Sequence, residues 1–577
     1  MAVSEGRRPA SLGLPSADLR AVVVVPARDE EQRIGACLDA LATQAEIDPA
    51  AYELIVVLDA CGDGTGHQVE EARRRWPDLR LLTLPGPGRG AGPARATGMD
   101  VACARLESIG RVDGLLATTD ADSVVAPAWI ARQLQAIAAG AEAIGGEILL
   151  DAGESERLPG AVIRGRDADL IERTRRAQSR GPAEHAHFAG ASIGLTPRAY
   201  RRAGGMGWLA ALEDQELEDR LAAAGVPIHR LRPVQVTTSA RIDGRAERGL
   251  ALDLALADWL SERSYAGGDY GLEQLLAAKR SSVAVVLPAR EVAATIGPTL
   301  DRLLPLREAG LFDELLVVDT DSADGTAGIT RERGAEVVSE SALAPELGRC
   351  LGKGDAMWRA AGAVESDLLV YLDADSADFH PGFLTGLLGP ILLDPALKLV
   401  KGSFHRPFAR GGSVHDGEGG RVTELVARPL LNLHFPALAG FVQPLAGEVA
   451  IERDLFRQLA VPVGYGVEIA MLIDCLRLVG LDALAQVDLG TRQNRHQSLR
   501  ALSAMAVEVM VAVERRSGGA ARPDTASFRP RPGGDGAAER WRLRCEERPP
   551  LNASSGFETP PRWVGEASAE QLRRVPQ

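Results

Sequence analysis

The sequence predicts an α/β protein made of two copies of one domain, each around a mainly parallel sheet, and three observations carry that prediction. First, apolar runs ending in a carboxylate or a turn occur twice in the same order. The first set is AVVVVPARDEE from Ala21, LIVVLDACGDGT over 54–65 and LLATTDADS over 115–123. The second is SVAVVLPAREVAATI from Ser282, ELLVVDTDSADGT over 314–326 and LLVYLDADS over 368–376. Second, amphipathic segments alternate with these runs, such as IGACLDALATQ and IGPTLDRLLPLREAG, the latter with Leu300, Leu303 and Leu304 at helical spacing. Third, self-similarity in fixed order over about 230–250 residues marks a duplicated domain rather than a short-period solenoid.

The length of 577 residues lets each copy bury its own core. Hydrophobic residues at 45% and charged residues at 25% are ordinary for a water-soluble globular chain, and no apolar run reaches the roughly 20 residues that span a bilayer. The polar start, with no apolar signal core, argues against a cleaved secretion peptide. Cys37, Cys61, Cys103, Cys350, Cys475 and Cys545 form no CxxC pair and no zinc spacing, so they read as reduced thiols, which suits a cytoplasmic location. A net charge of −14 disfavours nucleic acid and anionic membranes as partners.

Residues 1–18 read as a flexible N-terminus, 19–245 as the first domain, 246–280 as a helical linker (LALDLALADWLSER, LEQLLAAKR) and 281–515 as the second domain. From 516 to 577 the composition turns to Gly, Pro, Arg and Ser, which predicts a disordered tail.

Ligands of open α/β sheets bind beyond the carboxyl ends of the strands, where the motif residues fall. In the DAD of Asp373 and Asp375, residues two apart on an extended segment point to one side, so both carboxylates can face one hard cation. A divalent ion there would bridge the two phosphates of a sugar nucleotide and stabilise the departing diphosphate. A lone DxD is weak evidence. The same pair after an apolar strand in both halves, Asp120 with Asp122 and Asp373 with Asp375, is much stronger.

The second half, over 282–511, resembles the glucosyl-3-phosphoglycerate synthases. The specific words are GGRVTELVARPLL, QPLAGEVA, GYGVEI and AQVDLGTR, supported by LGKGDAMW and LVKGSFHRPF. The resemblance implies a GT-A fold, UDP-glucose as the usual donor, Mg²⁺ or Mn²⁺, 3-phosphoglycerate as acceptor and retention at the anomeric carbon. It places Pro288, Ala289 and Asp319 at the uracil and ribose end, Lys353 on donor phosphate, and Asp373 and Asp375 as ribose-diphosphate and metal ligands. It gives Gly420, Arg421 and Thr423 to the acceptor, chemistry that suits a small dianion, and sets Tyr465 and Glu468 beside the donor sugar and acceptor hydroxyl. Two positions depart from the family pattern. Val292 stands where a nucleotide-contacting Glu is expected, and Glu291 would replace it only if the loop shifts. Asn494 stands at the expected metal-ligand position with His496 two residues later, so either His496 reaches the metal or the site leans on water and Asp375.

The first half, over 21–240, resembles the broader family 2 glycosyltransferases through PARDEE, LDACGDGT, RGAGPARATGMD, DADS and ALEDQEL. That resemblance puts Pro26, Glu30 and Asp59 at the nucleotide, Asp120 and Asp122 at the metal, and Asp214 as catalytic base. His185 and His187 are loop histidines that more often bind neither acceptor nor metal.

The resulting expectation is two tandem GT-A domains, the second making glucosyl-3-phosphoglycerate. Its rivals are another donor, such as GDP-mannose, with another acceptor, or one half acting as a nucleotide-binding or assembly module. The partners are a nucleotide-sugar donor and a small phosphorylated acceptor, with homodimer formation left open.

Overall fold

The computed structural model describes residues 13–179, 182–209, 211–242, 249–405, 408–410, 413–415, 420–492, 498–518, 524–529 and 540–553. The chain divides into two compact units, Met1–Ser261 and Glu262–Gln577.

In the first unit, β1 (Ala21–Ala27), β2 (Tyr52–Leu58), β3 (Arg80–Pro85) and β4 (Leu115–Thr118) run parallel in the order β3-β2-β1-β4. All seven residues of β1 are buried, as an apolar run covered on both faces requires. The sheet continues through β7 (Ile193–Leu195), β6 (Ala143–Leu150), β8 (Ile228–Thr238) and β5 (Ser123–Val125), and β7 pairs antiparallel with both neighbours. The helix Ala91–Ser108 lies directly on β1: a Cβ at Gly98 would come within 2.4 Å of Val24 Cγ1 and 2.9 Å of Val57 Cγ2. Only glycine permits that approach.

The second unit repeats this order through seven strands, but its eighth comes from ahead of the other seven and runs parallel to its neighbour, where β5 follows β4 and runs antiparallel. β12 (Glu336–Ser339), β11 (Glu314–Asp319), β10 (Val283–Ala289) and β13 (Leu368–Tyr371) are parallel, followed by antiparallel β17 (Val449–Glu452), then β14 (Leu399–His405), β19 (Leu484–Thr491) and β9 (Ser264–Ala266). Three small pairs stand apart: β15 (Phe408–Arg410) with β16 (Ser413–His415), β18 (Val461–Pro462) with β22 (Glu547–Arg548), and β20 (Thr525–Phe528) with β21 (Trp541–Arg544).

Two segment readings need correction. The stretch taken as a helical linker divides: the helix Leu250–Glu262 packs Leu254 with Val162 and Ala240 of the first unit, whereas β9 becomes the edge strand of the second sheet. The described part of the expected tail is ordered. Arg548 donates to both oxygens of Asp355 at 2.8 and 2.9 Å, and Trp358 Nε1 donates to the Pro549 carbonyl at 2.8 Å. A Pro- and Arg-rich composition hid these specific contacts.

Among the described residues no helix is long and apolar enough to cross a membrane, and all six cysteines are free thiols.

Candidate active site

In the second unit the motif residues gather at the carboxyl ends of β10, β11 and β13. Lys353 begins the helix Lys353–Ala363, and its Nζ lies 2.7 Å from Asp373 Oδ1 and 2.9 Å from Glu468 Oε1. Burial works against the ammonium, but Asp373 and Glu468 outweigh it and raise the pKa. Burial likewise opposes charge on Asp373, yet Lys353 and Arg492 hold its carboxyl below the ordinary range. Arg492, 1% exposed just beyond β19, reaches Asp373 Oδ2 at 3.1 Å and Asp375 Oδ1 at 3.2 Å, and pairs closely with the equally buried Glu448. Gly447 leaves the necessary room, since a Cβ there would lie 2.3 Å from both Asp373 Oδ1 and Lys353 Nζ.

Pro288 and Ala289 end β10, and Asp319 ends β11. Asp319 is buried; its Oδ2 accepts from the Ser322 N–H at 3.1 Å, while Oδ1 has no partner among the described residues. Gly420, Arg421 and Thr423 share one turn, with Gly420 at φ +73° and Thr423 buried at the start of the π-helical turn Thr423–Ala427. Tyr465 is exposed and anchored through its N–H to Glu508 Oε2 at 2.8 Å. Asn494 and His496 lie outside the described residues.

Glu291 does not move into the place of the expected glutamate. It sits at φ +52° and its Oε1 accepts from the Ala323 N–H at 2.9 Å, while Val292 is buried in the core with its N–H on Thr326 Oγ1 at 3.1 Å. The first unit makes the same loop with other side chains. Asp29, at φ +51°, accepts from the Gly62 N–H, and Glu30 donates its N–H to Thr65 Oγ1 at 2.7 Å.

The first unit opens a cleft of about 1780 Å³, and Pro26, Glu30, Asp59, Asp120, Asp122 and Asp214 all line it. Arg95 holds the centre: Nη2 lies 2.7 Å from Asp120 Oδ1 and Nε 3.2 Å from Glu213 Oε1. Arg241 joins Glu30 at 2.6 Å and Asp122 at 2.9 Å. Burial, reinforced by Asp120, pushes the Asp122 carboxyl up to about 6. Asp59 is turned to the loop ahead of the helix Ala91–Ser108, with Oδ1 accepting from Gly88 at 2.5 Å and Oδ2 from Gly90 at 2.9 Å. Asp214 accepts from the Gly190 N–H at 3.3 Å and the Gln215 N–H at 2.8 Å. The two histidines are buried supports of the sheet end: His187 Nδ1 accepts from the Ile148 N–H, and His185 Nδ1 from the His187 N–H, both at 3.0 Å.

Arg95, Glu213 and Arg241 in the first cleft, and Lys401, Glu448 and Arg492 in the second, escaped the sequence reading. Most of them lie inside words that resembled a family, GPARATG, LEDQEL, VKGS and LAGEV, but nothing local says that these charges converge.

Comparison with known proteins gives the same direction. The family model Glycosyl transferase family 2 matches residues 22–193. The glucosyl-3-phosphoglycerate synthase of Mycolicibacterium paratuberculosis is 39% identical over 330 residues, covering 55% of this chain and 99% of that protein. The chain belongs to the glucosyl-3-phosphoglycerate synthase family. The Mycobacterium tuberculosis member is 41% identical over 48% of this chain and 88% of its own length. Solved structures similar to part of the chain include mannosyl-3-phosphoglycerate synthase from Rubrobacter xylanophilus, at 44% identity and a TM-score of 0.47, covering 51% of this chain and 98% of that one. Another is the Mycobacterium tuberculosis glucosyl-3-phosphoglycerate synthase in complex with Mn²⁺, uridine diphosphate and phosphoglyceric acid, at 39% identity and a TM-score of 0.45, covering 49% of this chain and 95% of that one.

Proposed function

We propose that the chain carries two tandem GT-A domains and that the second transfers glucose from UDP-glucose to 3-phosphoglycerate, giving glucosyl-3-phosphoglycerate. The observation that carries this reading is the Lys353, Asp373, Glu468 and Arg492 cluster at the strand ends, in a chain that spans nearly the whole length of a 39% identical synthase.

Asp319 is suited to the base, because a buried carboxylate oxygen without a donor among the described residues calls for an N–H from a ligand. Lys353 supplies positive charge to the donor phosphates. Asp373 and Asp375 fit Mg²⁺ or Mn²⁺: they are two hard oxygen donors on one side of a strand end, and a guanidinium already bridges them, so positive charge is at home there. Among the described residues no third acidic, histidine or cysteine side chain completes a metal cluster; His496, which lies outside them, would be the further protein ligand, or else donor phosphate and water would complete the set. The metal would act as a Lewis acid on the leaving diphosphate. Arg421, Thr423 and the Gly420 N–H would hold the acceptor phosphate, while Tyr465 and Glu468 flank the sugar and orient the acceptor hydroxyl. Among the described residues no pair of carboxylates arranged for double displacement is evident, so attack on the face the diphosphate leaves would account for retention.

In the first domain Pro26, Glu30 and Asp59 would hold the nucleotide, Asp120 and Asp122 the metal, and Asp214 would take the acceptor proton. One observation favours a non-catalytic first half: both Asp59 oxygens already accept backbone N–H groups.

The test is mass spectrometry of products from the full chain offered UDP-glucose or GDP-mannose with 3-phosphoglycerate and Mg²⁺ or Mn²⁺. Asp375→Ala is expected to abolish glucosyl-3-phosphoglycerate formation, and Asp122→Ala to spare it. Arg421→Ala is expected to weaken acceptor use by about 10- to 150-fold, the worth of a charge-assisted contact, while UDP binding persists. Undiminished turnover by Asp375→Ala rejects the assignment of the second site. For the first site, Asp214→Asn is expected to cut any transfer by about 10²- to 10⁴-fold with donor binding intact.

A further inference from the structure

The helix Gly160–Gln178 turns one stripe toward the cleft of the first unit, with Val162, Arg166, Asp169, Leu170 and Arg173 at helical spacing along its wall. Arg173 has a loose pairing with Asp169 at 3.7 Å, both largely exposed. Arg166 makes no ion pair or hydrogen bond with any described residue, although it is partly buried. Its pKa is drawn down, first by that burial and also by Arg173, with only neighbouring Asp167 acting the other way. A desolvated guanidinium beside another cation is costly unless an anion joins it.

The surroundings say where such an anion would lie. Both arginines act on His187, whose pKa is lowered to about 3 by burial, by His185 and by these two cations, so its ring is neutral. Three residues further on, the Gly190 N–H donates to Asp214. The loop 187–190 therefore connects the arginine pair with the carboxylate assigned to proton acceptance.

We infer that Arg166 and Arg173 bind the anionic end of the first domain's acceptor, a phosphorylated or carboxylated small molecule whose hydroxyl lies toward Asp214. The planar donor forks match such groups, and binding would relieve the mutual repulsion of the two guanidiniums. The inference rests on the reading of this cleft as a transferase site. Two sources share the required chemistry: 3-phosphoglycerate, and the glucosylated phosphoglycerate that the second domain would release.

The test is hydrogen exchange of the full chain, read on peptides of the helix 160–178, during titration with 3-phosphoglycerate or with glucosyl-3-phosphoglycerate. One of the two is expected to protect this helix. In the Arg166→Gln/Arg173→Gln variant the half-saturating concentration is expected to rise about 10-fold or more, with β1 to β4 as protected as in the parent. Protection by the glucosylated compound alone would make the second domain's product the first domain's acceptor; protection by 3-phosphoglycerate alone would make the two domains share an acceptor. Absence of protection by both probes, or an unchanged midpoint in the variant, overturns the proposal. UDP-glucose and GDP-mannose, titrated separately, report on the loops bearing Glu30 and Asp120. Donor protection without anion protection defeats this inference alone, and anion protection without donor protection supports the anion site and defeats only the transferase reading.

Discussion

In the first unit Arg241, which follows the last long strand, pairs with Glu30 of the β1 loop and with Asp122. In the second, Arg492 follows the corresponding strand and pairs with Asp373, Asp375 and Glu448, because the loop position matching Glu30 is occupied by Val292. The match is local and close in pattern: Glu30 and Val292 both give their N–H to a threonine hydroxyl, Thr65 in one case and Thr326 in the other. The replacement carboxylate comes from another strand. Thr118 faces Ile193 in one sheet and Tyr371 faces Val449 in the other, so Glu448 stands at the position of Ser192. By the same register Lys401 stands at the position of Gly145, where a Cβ would run into the His187 carbonyl at 2.4 Å. The comparison teaches that the charge arrangement persists between halves while the residues carrying it move.

The largest expected effect tests that statement at the arginines. Arg492→Met removes the buried cation that joins Glu448, Asp373 and Asp375 and is expected to cost about 3–5 kcal/mol of second-unit stability. Arg241→Met, in an open cleft, is expected to cost about 1–3 kcal/mol in the first unit. Hydrogen-exchange protection of β10 and β13 against β1 and β4 measures both. Equal, small losses would mean that neither guanidinium anchors its cluster.

A double-mutant cycle sharpens the proposed exchange of carboxylates. Glu448→Gln and Val292→Glu are each expected to destabilise, the second because it buries a carboxyl among apolar neighbours. Combined, they are expected to show a favourable coupling of about 1–2 kcal/mol, since the carboxylate introduced by Val292→Glu would meet Arg492 as Glu30 meets Arg241. Additive denaturation midpoints would break the correspondence.

The effect that shows only on acidification concerns His187. Its folded pKa of about 3 lies below the ordinary 6.5. Between those values the unfolded chain binds a proton that the folded chain does not, so this residue removes stability as pH falls from 6.5 toward 3. His187→Gln is expected to flatten the acid limb of first-unit unfolding measured against pH, and an unchanged limb would show that the ring is not held neutral.

The duplication, the strand ends and both DAD pairs were legible because apolar runs and their terminal carboxylates are contiguous in sequence. Family-resembling words pointed to Lys353 and Glu468, and the structure sets these beside Asp373. What could not be read was pairing across long separations. Glu30 and Arg241 are 211 residues apart, and Arg492 and Glu448 are 44 apart, so neither leaves a periodic trace. Asp59 also looked like a simple cleft carboxylate, and only the backbone of Gly88 and Gly90 reveals its second employment.

The grip of Arg548 on Asp355 reaches further than its place near the chain's end suggests. Asp355 is fully enclosed and also receives Arg359, on the helix that begins with Lys353. A protein shortened at the compositional break near residue 515 would keep every motif residue yet lose one of the two cations neutralising that aspartate. Loosening would start behind Lys353 rather than at the severed terminus. Donor affinity would then report on the far end of the polypeptide, and a domain boundary drawn from composition would produce a weakened enzyme with an intact set of signatures.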